Sequence, residues 1–175
     1  MTTRGAGEFI SPDLKKKALF VASVASMIDQ FNIPNIQLLQ DMGMEVDVAC
    51  NFEKGSTCPP EKIEQLLALL NTLGVNCYQL DFDRHTSNLK GHVKAYRQMS
   101  EVLRGERVPV GKEHHSGGNY TFVHCHSPIG GVIGRLTAWR HGGIKTIYTA
   151  HGFHFYNGAP LGNWLAFYPV EKTMA

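Results

Sequence analysis

Short apolar runs alternate with amphipathic stretches along most of the chain. Apolar or β-branched runs of strand length lie at residues 17–23, 45–50, 75–80, 120–126 and 145–150. Between them, apolar residues recur at helical spacing, which predicts helices over residues 33–42, 59–73, 89–103 and 130–140. Strands and helices therefore alternate, and this order predicts an α/β fold with a parallel sheet and helices on both faces.

The same pattern makes predictions about individual segments. A polar turn is expected between the first strand and the first helix. Val132, Leu136 and Trp139 are expected to point inward from the fourth helix. The run at 145–150 is expected to be a strand covered on both faces, and residues 104–119, rich in glycine, are expected to form a flexible surface excursion.

The last stretch, residues 161–175, predicts a short amphipathic helix that Pro169 kinks or interrupts. Its aromatic residues are unusually dense. They either pack on the sheet or dock on a lipid interface, and the pattern alone leaves both interpretations open. The side chains concerned are Trp164, Leu165, Phe167 and Tyr168.

Composition narrows the class of protein. The length of 175 residues and the 43% hydrophobic content suit one domain, and a net charge of +2 gives no reason to expect a nucleic-acid partner. The four cysteines form no C-x-x-C pair, which favours reduced thiols in the cytoplasm. Three lysines before an apolar run are also typical of a secretory signal, but that run is the expected first strand. We expect a disordered leader at residues 1–14 and one domain at 15–175.

Polar side chains and glycines follow three of the predicted strands. Because the carboxyl ends of parallel strands meet at one edge of a sheet, these residues are expected to form a ligand site there. Glycines at a helix start let backbone N–H groups approach an anion such as a phosphate, although they can also serve only to make a tight strand-to-helix turn. The candidates are Ser23 and Ser26 after the first strand, His126, Ser127, Gly130 and Gly131 after the fourth, and His151 and His154 after the fifth.

Several kinds of site are disfavoured by missing motifs. The first strand leads into Ser-Val-Ala-Ser-Met rather than Gly-x-Gly-x-x-Gly, and no Gly-x-x-x-x-Gly-Lys-Ser/Thr is present, which argues against a dinucleotide oxidoreductase. A zinc site, as in a metal-dependent hydrolase, is an alternative, but no H-E-x-x-H motif or partnered carboxylate accompanies the histidines. We expect neither a cofactor nor a metal. The histidines concerned are His124, His126, His151 and His154.

Two segments carry a specific pattern, VHCHSPIGGVIGRL at residues 123–136 and YTAHGFHFYNGAP at 148–160. Together with FNIPN, MGMEVDVA and NWLAFYPVEK, they make the chain resemble bacterial glycosyltransferases of family 4 that build capsular polysaccharides or exopolysaccharides. The resemblance covers nearly everything from Lys17 onward. It implies the GT-B architecture, two Rossmann-like domains facing across a cleft, of which this chain resembles the N-terminal, acceptor-side domain.

The resemblance also implies an activity. Such enzymes transfer a sugar from a nucleotide donor, commonly a UDP-sugar, with retention of anomeric configuration and without a required metal. The implied acceptor is a polyprenyl-diphosphate-linked glycan at the cytoplasmic membrane face, which would make the protein cytoplasmic or peripheral on the inner face of the membrane.

Roles for single residues follow from the resemblance in the same way. His151 would lie at the cleft and hydrogen-bond the donor sugar near the reacting carbon. His126, Ser127 and the two glycines would line the acceptor side, while the loop after Ser23 would approach the donor diphosphate. Such groups position substrates and stabilise charge on the leaving diphosphate.

The chain departs from the family pattern in ways that bear on activity. The loop after the first strand lacks the glycines of many members, and Asn32 stands where the pattern has histidine. The chain also stops before a C-terminal domain with the E-x7-E signature, so we expect it to be inactive alone. It is then either an isolated acceptor domain or a non-catalytic subunit completed by a separate donor-binding chain. An exposed apolar face on the sheet edge or last helix would favour the second.

Overall fold

A computed structural model describes residues 16–54, 57–83, 88–115 and 117–174. The predicted leader at 1–14 lies outside the described residues. Eleven elements occur in them, in the predicted alternating order apart from one additional helix. They are β1 (Lys17–Val21), α1 (Ala25–Phe31), α2 (Ile33–Asp41), β2 (Glu45–Cys50), α3 (Pro60–Thr72), β3 (Asn76–Gln79), α4 (Leu89–Arg104), β4 (Phe122–His126), α5 (Pro128–Arg140), β5 (Lys145–Thr149) and α6 (Leu161–Met174).

The five strands form one parallel sheet in the order β3-β2-β1-β4-β5. The chain winds outward from β1 to β3 and then crosses to the other side of β1 to place β4 and β5. Strand order therefore reverses between β1 and β4, and in open parallel sheets ligands bind outside the carboxyl ends at such a point. The predicted α/β sheet is confirmed.

Helices cover both faces of the sheet, as predicted. Leu19 and Val21 of β1 point to one face, where they pack in a core with residues of α4 and α5. Phe20 and Ala22 point to the other face, where the core includes residues of α1, α2 and α3. This alternation follows from the two-residue period of a strand.

The predicted polar turn after β1 is wrong, because α1 occupies that place. Ala25 and Ile28 are buried on one side of this short helix. They lie three residues apart, at helical spacing. The pattern is too short to predict a helix, because the polar residues Asp29 and Gln30 follow directly. The helix begins shortly after the carboxyl end of β1, and the ring of its last residue, Phe31, lies 4.7 Å from that of His151.

The predicted inward face of α5 is also wrong. Trp139 is 69% exposed and Leu136 is exposed as well, while small residues face the sheet. A Cβ at Gly134 would lie 2.5 Å from Cys125 Sγ, so the helix backbone approaches β4 too closely for a larger residue. Close packing through small residues, which hydrophobicity alone does not reveal, turns the large side chains outward.

The last strand and helix are less buried than the pattern predicts. β5 lies at the edge of the sheet and Ile147 is 49% exposed, so the prediction of a strand covered on both faces is wrong. α6 lies against α5 and buries none of its residues, so its aromatics do not pack into the sheet. The helix continues through Pro169. Trp164 and Tyr168 instead form an aromatic group with Phe155, their ring centroids 5.5–5.8 Å apart.

The predicted excursion at 104–119 is fixed to the fold in several places. Val110 donates its backbone N–H to Cys77 O at 2.7 Å, and Arg107 Nε donates to Gln79 O at 3.0 Å. Both acceptors belong to β3, so the segment covers an edge strand of the sheet. The four cysteines are thiols and not disulfides. Each helix in the described ranges is too short or too polar to cross a bilayer.

Candidate functional site

The carboxyl ends of β1, β4 and β5 lie side by side, because β4 pairs with both of the other strands. Ser23 follows β1, Ser127 follows β4 and His151 follows β5. The segments that carry most of the predicted site residues therefore meet at the point where the strand order reverses.

Ser23 and Ser127 join the first two of these segments. Their hydroxyl oxygens lie 2.7 Å apart, and the Ser23 backbone N–H donates to Ser127 Oγ at 3.2 Å. Ser127 Oγ donates its proton to the carbonyl of His126. A hydroxyl has one proton, so the Ser23 hydroxyl is the donor in the pair and keeps its lone pairs as acceptors.

The backbone at Ser127 is held in an unfavourable conformation. Its φ is +65° and its ψ is 153°, a region that suits glycine and costs other residues about 1–3 kcal/mol. The following Pro128 is the first residue of α5 and favours the extended ψ of the residue before it. The two serine hydrogen bonds offset part of this cost and fix the turn from β4 into α5.

Gly130 and Gly131 are buried in the first turn of α5 and permit two close approaches. A Cβ at Gly130 would lie 3.1 Å from Ser127 Oγ and 3.2 Å from the Ser23 nitrogen. A Cβ at Gly131 would lie 2.5 Å from the ring of Tyr148. Both glycines thus have a packing function in this structure, whichever of their two predicted uses applies.

A pair of histidines joins the ends of β4 and β5. His126 Nδ1 and His151 Nε2 lie 3.1 Å apart and share a hydrogen bond. His126 is 2% exposed, whereas His151 is exposed and rests its ring 4.7 Å from that of Phe31. The buried ring therefore holds the exposed one at the sheet edge.

Burial keeps His126 uncharged near neutral pH. Burial, with smaller contributions from the neighbouring His124 and His151, lowers the pKa of His126 from 6.5 to about 3. Among the described residues, none accepts or donates a hydrogen bond at His126 Nε2, which is buried. A second proton on this ring would therefore be poorly stabilised, and His126 takes part in the hydrogen bond to His151 as a neutral imidazole.

His124 and Thr149 also belong to this group of contacts, although neither is among the predicted site residues. His124 Nε2 hydrogen-bonds Thr149 Oγ1 at 2.9 Å, and its ring lies 4.3 Å from that of His126. Burial lowers the pKa of His124, with a smaller contribution from His151. The two-residue spacing of His124 and His126 on a strand was the available signal, whereas nothing local points to Thr149 or to Phe31.

Two predicted residues lie outside this hydrogen-bonded group. Ser26 is buried in the first turn of α1. His154 is exposed, its ring lies 4.6 Å from that of Phe167, and its carbonyl accepts a hydrogen bond from Asn163 Nδ2 at 3.0 Å. His154 therefore belongs with α6. Across the described ranges, no three His, Cys, Asp or Glu side chains are grouped so as to hold a metal ion.

A polar site at the carboxyl edge of a parallel sheet, beside a reversal of strand order, is typical of Rossmann-like ligand-binding domains. The crystal structure of CalG4, the calicheamicin glycosyltransferase, has the same fold. It matches 92% of this chain over 41% of its own length, with a TM-score of 0.50 and 15% sequence identity. The fold is that of the GT-B glycosyltransferases.

The family is shown by sequence. Residues 35–175 match the glycosyl transferase 4-like domain, and the chain belongs to this family. It is 36% identical over 164 residues to a protein of Bacillus subtilis (strain 168) described as "Putative glycosyltransferase EpsD". That match covers 93% of this chain and 36% of the relative, so the chain spans about a third of the relative's length. The predicted family is confirmed.

Proposed function

We propose that this chain is the acceptor-side half of a retaining glycosyltransferase. The complete enzyme would transfer a sugar from a nucleotide sugar, a UDP-sugar, to a polyprenyl-diphosphate-linked glycan during synthesis of a capsular or extracellular polysaccharide. The donor nucleotide would be held by a second Rossmann-like domain across the cleft. The protein would work in the cytoplasm, at the inner face of the cell membrane.

The hydrogen bond between His126 and His151 is the observation that carries this proposal. It fixes an exposed imidazole at the edge of the sheet, 3.1 Å from a buried and neutral partner. Membership of the glycosyl transferase 4-like family supports sugar transfer as the reaction for which this edge is built. A preorganised imidazole suits a sugar hydroxyl, because it needs no reorientation when the substrate binds.

In this proposal one side chain contacts the substrate and the others position it or the loops around it. His151 would hydrogen-bond the donor sugar near the reacting carbon, while His126 keeps its ring in place. The bond from that carbon to the diphosphate would break, the bond to the acceptor hydroxyl would form, and the hydroxyl proton would leave with the diphosphate. Ser23 and Ser127 would order the loops that approach the diphosphate and the acceptor.

A transfer assay tests this function. The chain is incubated alone and with a family C-terminal domain supplied in trans, with a panel of UDP-sugars and a polyprenyl-diphosphate glycan. We expect product only in the second mixture, because half a cleft does not hold donor and acceptor together. A lack of product in both mixtures, while a complete family enzyme is active in the same buffer, would contradict the proposal.

An exposed apolar surface favours a second candidate function. Ile147 on the edge strand and Trp139 on α5 are 49% and 69% exposed, and α6 buries none of its residues. Such a surface is typical of a protein contact. The chain could then be a non-catalytic acceptor-binding subunit that a separate donor-binding chain completes. Pull-down of the acceptor glycan without transfer in either mixture of the assay, together with transfer when the chain's own donor-binding partner is added, would support this function over the first.

A further inference from the structure

An apolar groove of about 400 Å³ lies beside the candidate site. Its walls come from the first turn of α4, the first half of α5 and the second half of α6. Most of its lining is aliphatic or aromatic, including Ile129, Val132, Phe167 and Val170. A concave and mostly apolar surface of this size is typical of a small-molecule site.

The groove is continuous with residues of the candidate site at two points. Pro128 lines it and directly follows Ser127, whose hydroxyl is bonded to Ser23. Phe167 also lines it, and the ring of Phe167 lies 4.6 Å from that of His154. A ligand that lies in the groove therefore has one end at the carboxyl edge of the sheet.

The chemistry of the lining selects a hydrocarbon. The polar side chains in it are His92 and Glu171. Both carboxylate oxygens of Glu171 are engaged, one by Arg135 at 2.9 Å and the other by Tyr148 at 3.0 Å. A peptide would bring backbone N–H and C=O groups that such a lining leaves largely unpaired, whereas an aliphatic chain needs no partners.

We propose that this groove binds the aliphatic chain of the lipid-linked acceptor. The first isoprenoid units lie between α5 and α6, and the polar end of the lipid lies toward Ser127 and His154. This inference rests on the proposed function for the choice of a polyprenyl lipid. It assigns to the chain a site for the lipid itself, distinct from the site for the sugars.

Binding of farnesyl diphosphate to this chain, measured by calorimetry, tests the proposal. Inorganic diphosphate is the reference for the polar end alone. Each buried methylene strengthens binding about fourfold, so we expect farnesyl diphosphate to bind at least about 100-fold more tightly than inorganic diphosphate. Equal affinity for the two compounds would overturn the proposal.

Substitutions in the groove test where the farnesyl chain binds. Ala166 lines the groove from an exposed helix position, and Ala166→Trp should fill the groove and weaken farnesyl binding at least about tenfold. Leu165→Trp is the matched control, because Leu165 is exposed on the same helix and does not line the groove. Should Ala166→Trp not fold, Val170→Asp places a charge in the same groove from a position that is 41% exposed. Unchanged affinity in a folded groove variant would also overturn the proposal.

A kinetic comparison separates this inference from the proposed function. In the complete two-domain enzyme, Ala166→Trp should raise the KM for a farnesyl-linked acceptor and leave the KM for a butyl-linked acceptor unchanged. Transfer with equal KM changes for both acceptors would overturn the inference that the groove binds the lipid, while the proposed function would stand. Groove-dependent binding of farnesyl diphosphate, without transfer to either acceptor, would support the groove and contradict the function.

Discussion

Acidification should destabilise this domain through His126. The folded chain keeps this histidine neutral because burial lowers its pKa to about 3, whereas the unfolded chain titrates at 6.5. Between these two values the unfolded chain binds more protons than the folded chain. Stability is therefore at its full value above the unfolded pKa, and falls progressively as the pH drops below 6.5 toward 3.

The size of this effect follows from the two pKa values. About pH 5 lies roughly 1.5 units below the pKa of the unfolded chain, and each unit corresponds to about 1.4 kcal/mol. His126 should therefore remove about 2 kcal/mol from the free energy of unfolding at that pH. Because pH 5 remains well above the folded pKa, almost all of this loss comes from protonation of the unfolded chain.

Urea unfolding followed by circular dichroism measures this loss. Between about pH 7.5 and about pH 5, a loss of about 2 kcal/mol lowers the urea midpoint by about 1 M. His126→Asn is the control variant, because its amide can replace the hydrogen bond to His151 and does not titrate. Its midpoint should fall less than that of the wild type by about this amount. Equal pH dependence in the two proteins would refute the reasoning.

Three further perturbations test other parts of the structure. Asp47→Ala should cost about 3–5 kcal/mol in urea unfolding, because it leaves Lys17 and Tyr120 without the buried carboxylate that both contact; a cost below about 1 kcal/mol, as for an exposed pair, would contradict this. Glu171→Ala should remove the ion pair between Arg135 and α6 and speed amide exchange across α6 but not α4; unchanged exchange would show that apolar contacts hold α6. Serine at both Trp164 and Phe167 should weaken liposome binding if α6 docks on lipid, and binding equal to the wild type would exclude this surface.

The order of strands and helices, apart from α1, was predictable because each of these elements repeats its own apolar period. The orientation of α5 was not, because its inner face is built from Gly130, Gly131 and Gly134, where the absence of a side chain permits contact. The exposure of β5 was not predictable either, because an apolar run does not indicate whether a strand lies in the centre or at the edge of a sheet.

The candidate site was predictable to the extent that it depends on strand ends. His126 is the last residue of β4, and His151 comes shortly after the end of β5. Because β4 and β5 are neighbouring parallel strands, the proximity of the two histidines follows from the topology. The hydrogen bond between Tyr148 and Glu171 was not predictable from the strand order, because it joins residues far apart in sequence through the packing of α6. Contacts of this kind depend on tertiary packing that no local pattern encodes.

The kinetics of His151→Ala in the complete two-domain enzyme test the central claim most directly. Loss of a preorganised hydrogen bond at the reacting sugar should lower kcat by about 100-fold or more, with the domain still folded. His141→Ala, at the end of α5, is the matched control and should retain the wild-type rate. A folded His151→Ala enzyme with the kcat and KM of the wild type would contradict the assignment of this sheet edge as the site of sugar transfer.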